Sequence, residues 1–93
     1  MQTRSDRIAI VLNAAFAPSA LEITDDSARH AGHSGARPGG ETHFSVRLVS
    51  PLFRGLSRVQ RARAVHEALG PEFAGGLHAL SLTLQTPEEN SSP

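Results

Sequence analysis

No cysteine occurs anywhere in the 93 residues. The chain alone therefore supplies no disulfide, no thiol nucleophile and no thiolate metal site, an absence that fits a reducing compartment such as the cytoplasm. Lysine is missing too. The nine cations are all arginine and balance nine acids, for a formal net charge of zero. That balance argues against a general polyanion binder and leaves room only for a local basic patch. Tryptophan and tyrosine are absent, so phenylalanine, with four copies, is the sole aromatic. No apolar stretch approaches the roughly 20 residues of a membrane span.

What remains is a chain that is 39% hydrophobic, enough for one modest core in one compact domain. Its amino terminus has the outline of a secretory signal: Arg4 and Arg7, an apolar run from Ile8, and Ala15-Phe16-Ala17. Asp6 dilutes the charged part, Asn13 interrupts the apolar part, and Pro18 would follow the cleaved bond. The run is also amphipathic. Ile8, Val11, Leu12, Ala15 and Phe16 follow the i, i+3, i+4, i+7, i+8 pattern of a helix face, with Thr3 and Asp6 as its capping box and Pro18 as its stop.

A short strand follows, with Leu21 and Ile23 on one face and Glu22 and Thr24 on the other. Asp25 to Glu41 has no period, and residues 27–41 read as a mobile loop of a length that is more often functional than incidental. Thr42 to Ser50 predicts a strand with Phe44, Val46 and Leu48 on its core face and His43, Ser45 and Arg47 facing away. After a turn at Pro51 to Gly55, Ser57 and Gln60 form the capping box of a second helix, with Val59, Ala62, Val65, Ala68 and Leu69 as its apolar side. Gly70-Pro71 stops that helix, Phe73 anchors the next turn, and a last strand starts at Leu77. The tail from residue 89 reads as frayed, with one helical turn at Pro87 to Asn90. The ordered core is thus about residues 4–88, in the order helix, strand, strand, helix, strand. The first two strands pair antiparallel and the last two parallel. The expected fold is α+β: a three-stranded mixed sheet covered by helices on one face.

Few side chains suggest chemistry. In GGLHALSLTL, residues 75–84, His78 falls at the mouth of a strand on the parity of Leu80, Leu82 and Leu84. It is either a core-edge histidine satisfied by a backbone carbonyl or a residue held to meet something from outside. His30 and His33, three apart in the long loop, are either solvated or a loose metal pair, and His43 reads as a surface residue. Arg54, Arg58, Arg61 and Arg63 cluster at the start of the second helix. That cluster opposes the macrodipole, so it is either a solvated face or a surface for nucleic acid or an acidic partner. Ser34 and Ser81 have no identifiable base, and Gly39-Gly40 is followed by an acid rather than a phosphate-binding lysine, so no enzyme is expected. A formal GxxG at Gly32 to Gly35 lies between strands, where the RNA-binding loop of a KH domain joins two helices.

Taken together, GGETHFSVRLVSPLFRGLSRVQRARAVHEAL and GGLHALSLTLQTPEE resemble the BolA family, in its histidine-loop form, from about Asp6 to Glu89. The resemblance implies a class II KH-like fold, in agreement with the element order. It implies a partner, a CGFS monothiol glutaredoxin, with which a [2Fe–2S] cluster is shared. The glutaredoxin cysteine and bound glutathione would give two thiolates, and His78 and His30, with His33 as alternative to His30, the remaining ligands. It also implies a second role as a DNA-binding regulator, for which the four arginines are the natural surface. The free chain is expected as a monomer or weak homodimer, in the cytoplasm. Two departures stand out. Arg61-Ala62-Arg63 has no histidine between the arginines, and Asn90 replaces an aromatic residue after TPEE.

Overall fold

The structure, a computed structural model, describes residues 2–26 and 42–91. Helix α1 (Arg4–Phe16) starts at a reciprocal capping box. The Thr3 hydroxyl accepts from the Asp6 N–H, and the Asp6 carboxylate accepts from the Thr3 N–H. It ends one residue before the expected proline, where Ala17 takes a left-handed conformation (φ 44°) and its N–H returns to Asn13 O. Ile8, Leu12 and Phe16 are its buried stripe.

Strand β1 (Ala20–Asp25) pairs antiparallel with β2 (His43–Val49), from Ala20 opposite Val49 to Asp25 opposite Phe44. A single 3-10 turn at Pro51–Phe53 buries Phe53, whose ring lies 5.2 Å from that of Phe16. Helix α2 (Arg58–Ala68) begins at the Ser57–Gln60 capping box. After a break at Leu69 the short helix α3 (Gly70–Ala74) follows, where the sequence suggested only a stop. Proline breaks a helix interior but fits a first turn, and Pro71 sits there. Strand β3 (Ala79–Gln85) then pairs parallel with β2, from His43 opposite Ala79 to Val49 opposite Gln85. The sheet order is β1-β2-β3, as expected.

Phe44, Val46 and Leu48 of β2 meet Ile8, Leu12 and Phe16 of α1, Phe53, Val65, Leu69 and Leu77 in one core. Each fully buried phenylalanine or leucine contributes about 2 kcal/mol by removal from water. Glu22, Thr24, Ser81 and Thr83 lie exposed on the opposite sheet face.

Two expectations are corrected. Val59 is 58% exposed rather than on the packed side of α2. The packed stripe is Arg61, Ala64, Val65, Ala68 and Leu69, at i, i+3, i+4, i+7 and i+8. A charged residue heads this apolar stripe because its aliphatic stem can be buried while its guanidinium finds partners. The helical turn expected at Pro87 to Asn90 is present and one residue longer, as a last helix α4 (Pro87–Ser91), which takes in residues 89–91 of the stretch read as frayed. Its start is pinned by buried Thr86, whose hydroxyl accepts from the Glu89 N–H while the Glu89 carboxylate accepts from the Thr86 N–H. The expected loop over 27–41 lies outside the described residues.

Candidate functional site

The approach to His78 is built from backbone hydrogen bonds. Gly76 takes φ 124°, a conformation that side chains resist, and turns the chain out of α3. Leu77 is then buried, and its N–H donates to Glu72 O at 2.9 Å. The N–H groups of His78 and Ala79 both donate to Thr42 O, at 2.8 and 3.1 Å. In a regular strand, consecutive N–H groups point to opposite edges. Two of them on one carbonyl mean that strand alternation starts at Ala79 and does not extend back to His78. The parity argument that set His78 on the leucine face is therefore corrected: its side chain is exposed, while its main chain is fixed.

The neighbour of that ring is His43, the first residue of β2. The two imidazole centroids are 6.0 Å apart, with planes inclined by 47°. His43 is half-buried, and its Nδ1 lies 2.9 Å from the hydroxyl of buried Thr42. The hydroxyl can donate to or accept from that nitrogen; in the second case Nδ1 carries the proton and Nε2 is left as a lone-pair donor to a metal. Asp26 closes the other side: its N–H donates to His43 O at 2.7 Å, and its carboxylate accepts from the Ser45 hydroxyl. A shallow hollow of about 240 Å³ is lined by Asp26, His43, Phe44, Ala79, Leu80 and Ser81. Among the described residues no group of three or more histidines and carboxylates is placed to hold a metal ion. The edge offers imidazole nitrogens and an incomplete ligand set.

Of the ligands expected from the sequence, the structure positions His78; His30 and His33 lie outside the described residues. His43 is the member that sequence reasoning passed over, because period-two parity assigned it to the open face and nothing more. The signal lay in the register. THF and HAL open neighbouring parallel strands, so their histidines meet at one end of the sheet.

A charged clamp supports this end. Arg4 Nε donates to Glu72 Oε1 and Arg7 Nε to Glu72 Oε2, each at 2.9 Å, while Arg4 Nη2 reaches Gly75 O, also at 2.9 Å. The side chains of Arg4 and Glu72 are both only 11% exposed. The Arg7 hydrogen bond, joined by that of Arg4 and opposed by burial, holds the Glu72 carboxyl below the usual carboxylate range. A Cβ at position 75 would stand 3.3 Å from Pro71 O, tighter than ordinary contact, so glycine there permits the close approach of the chain.

The four arginines do not form one free face. Arg61 is buried, donates to Leu56 O and Leu84 O, pairs with Glu89 at 2.6 Å and stands 5.7 Å over the Phe53 ring. It pulls the Glu89 carboxyl down to about 2. Arg54 forms a two-pronged pair with Glu88 at 2.7 and 2.6 Å, which raises the guanidinium and lowers the carboxyl. Only Arg58 and Arg63 stay exposed without an ion pair among the described residues. Five positions apart on a helix, they point about 140° away from each other. The expectation of a four-arginine surface is corrected accordingly.

Comparison with known proteins agrees with this architecture. Residues 12–89 match the family model for BolA, described as BolA-like protein. The chain is 43% identical over 91 residues to SufE-like protein 1, chloroplastic/mitochondrial, of Arabidopsis thaliana, covering 94% of this chain and 24% of that protein. It is 42% identical over 94 residues to Protein BOLA1, chloroplastic, of the same plant, covering 99% of this chain and 59% of the relative. The chain thus spans about a quarter and somewhat over half of the lengths of these two relatives. The solved structure of BolA1 from Arabidopsis thaliana superposes with a TM-score of 0.86 at 41% identity, covering 100% of this chain and 99% of that one. The helix order, the mixed sheet and the sequence match lead to one assignment: the chain belongs to the BolA-like family.

Proposed function

We propose that the chain is a non-enzymatic adaptor that binds a CGFS monothiol glutaredoxin and shares a [2Fe–2S] cluster with it, for cluster trafficking or iron sensing. The supporting observation is His78, whose main chain is fixed by Thr42 and whose imidazole is left exposed beside that of His43. The residues fit the group in a specific way. Iron–sulfur clusters usually take four thiolates, and this chain has none. Imidazole can replace thiolate on one iron, which raises the reduction potential. An edge with one exposed and one half-buried imidazole and, among the described residues, no complete ligand set suits a cluster whose sulfur ligands come from another protein. His78 supplies one nitrogen. The second comes from His30, with His33 or the structurally adjacent His43 as its alternatives.

The test mixes the purified chain with a CGFS glutaredoxin, iron, sulfide and glutathione, and follows visible absorption and circular dichroism. The expected result is a spectrum distinct from that of the glutaredoxin alone, lost in His78→Ala and altered by one of His30→Ala, His33→Ala or His43→Ala. A spectrum identical to that of the glutaredoxin alone and indifferent to His78→Ala overturns the reading. Because imidazole must be unprotonated to bind, acid weakens the complex. The DNA-binding reading draws no support from the arginines, two of which are committed to carboxylates. Among the described residues no helix is long and apolar enough to cross a membrane.

A further inference from the structure

Thr42 organises the amino end of β3 by acting on two histidines at once. Its carbonyl accepts the N–H groups of His78 and Ala79 at 2.8 and 3.1 Å, which fixes the main chain that carries the His78 ring. Its hydroxyl lies 2.9 Å from Nδ1 of His43. Thr42 is only 5% exposed, so both contacts are made from inside the fold.

The two rings are spaced for a shared ion. Their centroids are 6.0 Å apart and their planes are inclined by 47°, so they are not stacked on each other. A nitrogen bound at about 2.0–2.1 Å puts its ring centre about 3.2 Å from the ion, so two rings on one tetrahedral ion have centres about 5 Å apart. His78 is exposed, and a small turn of its side chain within one staggered well closes the difference. The Thr42 hydroxyl suits the same use. A metal-bound imidazole generally donates its other N–H to an oxygen, which fixes the tautomer and aims the ring. Asp26 lines the hollow beside His43, and its carboxylate adds negative charge on this side.

We propose that His43 and His78 bind a single divalent transition-metal ion in the free chain. His43 binds it through Nε2, with Nδ1–H donated to the Thr42 hydroxyl, and His78 binds it through one ring nitrogen. Among the described residues no third histidine or carboxylate completes the set, so water fills the remaining positions and the ion is exchangeable rather than structural. Neutral imidazoles without thiolate select Zn²⁺, Ni²⁺ and Cu²⁺ over Mg²⁺ and Ca²⁺, with Cu²⁺ held tightest. The site needs no glutaredoxin and does not rest on the cluster reading. It does share His78 with the proposed cluster, so an ion held there and the shared cluster exclude each other.

The test titrates Zn²⁺ alone into the full chain, without iron, sulfide, glutathione or glutaredoxin, so its outcome is separate from that of the cluster test. Nitrogen-15 correlation spectra of the histidine rings follow each imidazole. The His43 and His78 rings are expected to shift together and saturate at one ion per chain, while the exposed ring of His66 on α2 stays in place. Mg²⁺ at the same concentration should move none of them. His43→Gln and His78→Gln should each weaken binding about ten-fold or more. Thr42→Val removes the hydroxyl that aims His43 and should also weaken it about ten-fold, with Thr42→Ser restoring it. The two histidine variants keep the main-chain bonds to Thr42 and carry the test even where Thr42→Val unfolds. Shifts that do not saturate below millimolar Zn²⁺, rings of His30 or His33 moving in place of His43, or a folded Thr42→Val that binds like the wild type each overturns the proposal.

Discussion

At its carboxyl end β3 runs into Thr86, which is buried, and Glu89, which is gripped by Arg61; at its amino end it begins beside His78, whose ring is exposed. The carboxyl end is held by side chains: the Arg61 guanidinium satisfies Leu56 O, Leu84 O and the Glu89 carboxylate at once. The amino end is held by main-chain bonds to Thr42 O and Glu72 O and by the pairs of Arg4 and Arg7 with Glu72, while the His78 ring stays exposed. One strand therefore has an end locked by a buried guanidinium and an end that leaves an imidazole at the surface.

The comparison breaks most visibly at the carboxyl end. Arg61→Ala removes a buried stem from the packed stripe of α2 and leaves two main-chain carbonyls without their donor, a loss of about 2–3 kcal/mol. A urea titration should show the lower midpoint. An unchanged midpoint would mean that this end is not held by Arg61.

At the opposite end the sensitive group is not a histidine but Glu72. Glu72→Gln keeps the shape and removes the charge that joins Arg4 and Arg7, at an expected cost of about 1–2 kcal/mol. The change should be local: amide exchange at residues 75–79 accelerates, while amides of 84–89 stay as in the wild type. Uniform acceleration across both groups would erase the distinction between the two ends.

These two residues also mark how far the sequence could be read. Element order, pairing sense and the β2 core face were legible because they rest on period-two and period-3.6 patterns and on turn residues, which act locally. Arg61 and Glu72 were not, because hydropathy ranks them as surface residues and their partners lie 28 and 65 to 68 positions away. His78 was legible as an oddity, an imidazole at a strand mouth, but its face was not. Parity fails where two successive N–H groups share one carbonyl. His43 became a candidate only once the parallel register set it next to that mouth.

Acid sharpens the contrast by a smaller amount. Glu89 and Glu72 have lowered folded values against 4.5 unfolded, so their stabilisation is complete above that unfolded value and is lost as the pH falls toward the folded one. For Glu89 the loss runs from about 4.5 down to about 2. Glu89→Gln should flatten the stability profile in that window while leaving its slope near neutral pH untouched. A profile identical to the wild type below pH 4.5 would show that the carboxylate does not depend on Arg61.

The smallest effect expected is that of His78→Ala on folding. The ring is exposed, its hydrogen bonds to Thr42 are made by the main chain and survive the substitution, and Leu77 and the sheet register are untouched. The stability should change by less than about 0.5 kcal/mol. His43→Ala should cost somewhat more, since it takes a partner from the buried Thr42 hydroxyl. Thermal unfolding of the two variants in the absence of metal checks the order. A large loss in His78→Ala would mean that the imidazole itself, and not only the main chain, holds this end of the sheet.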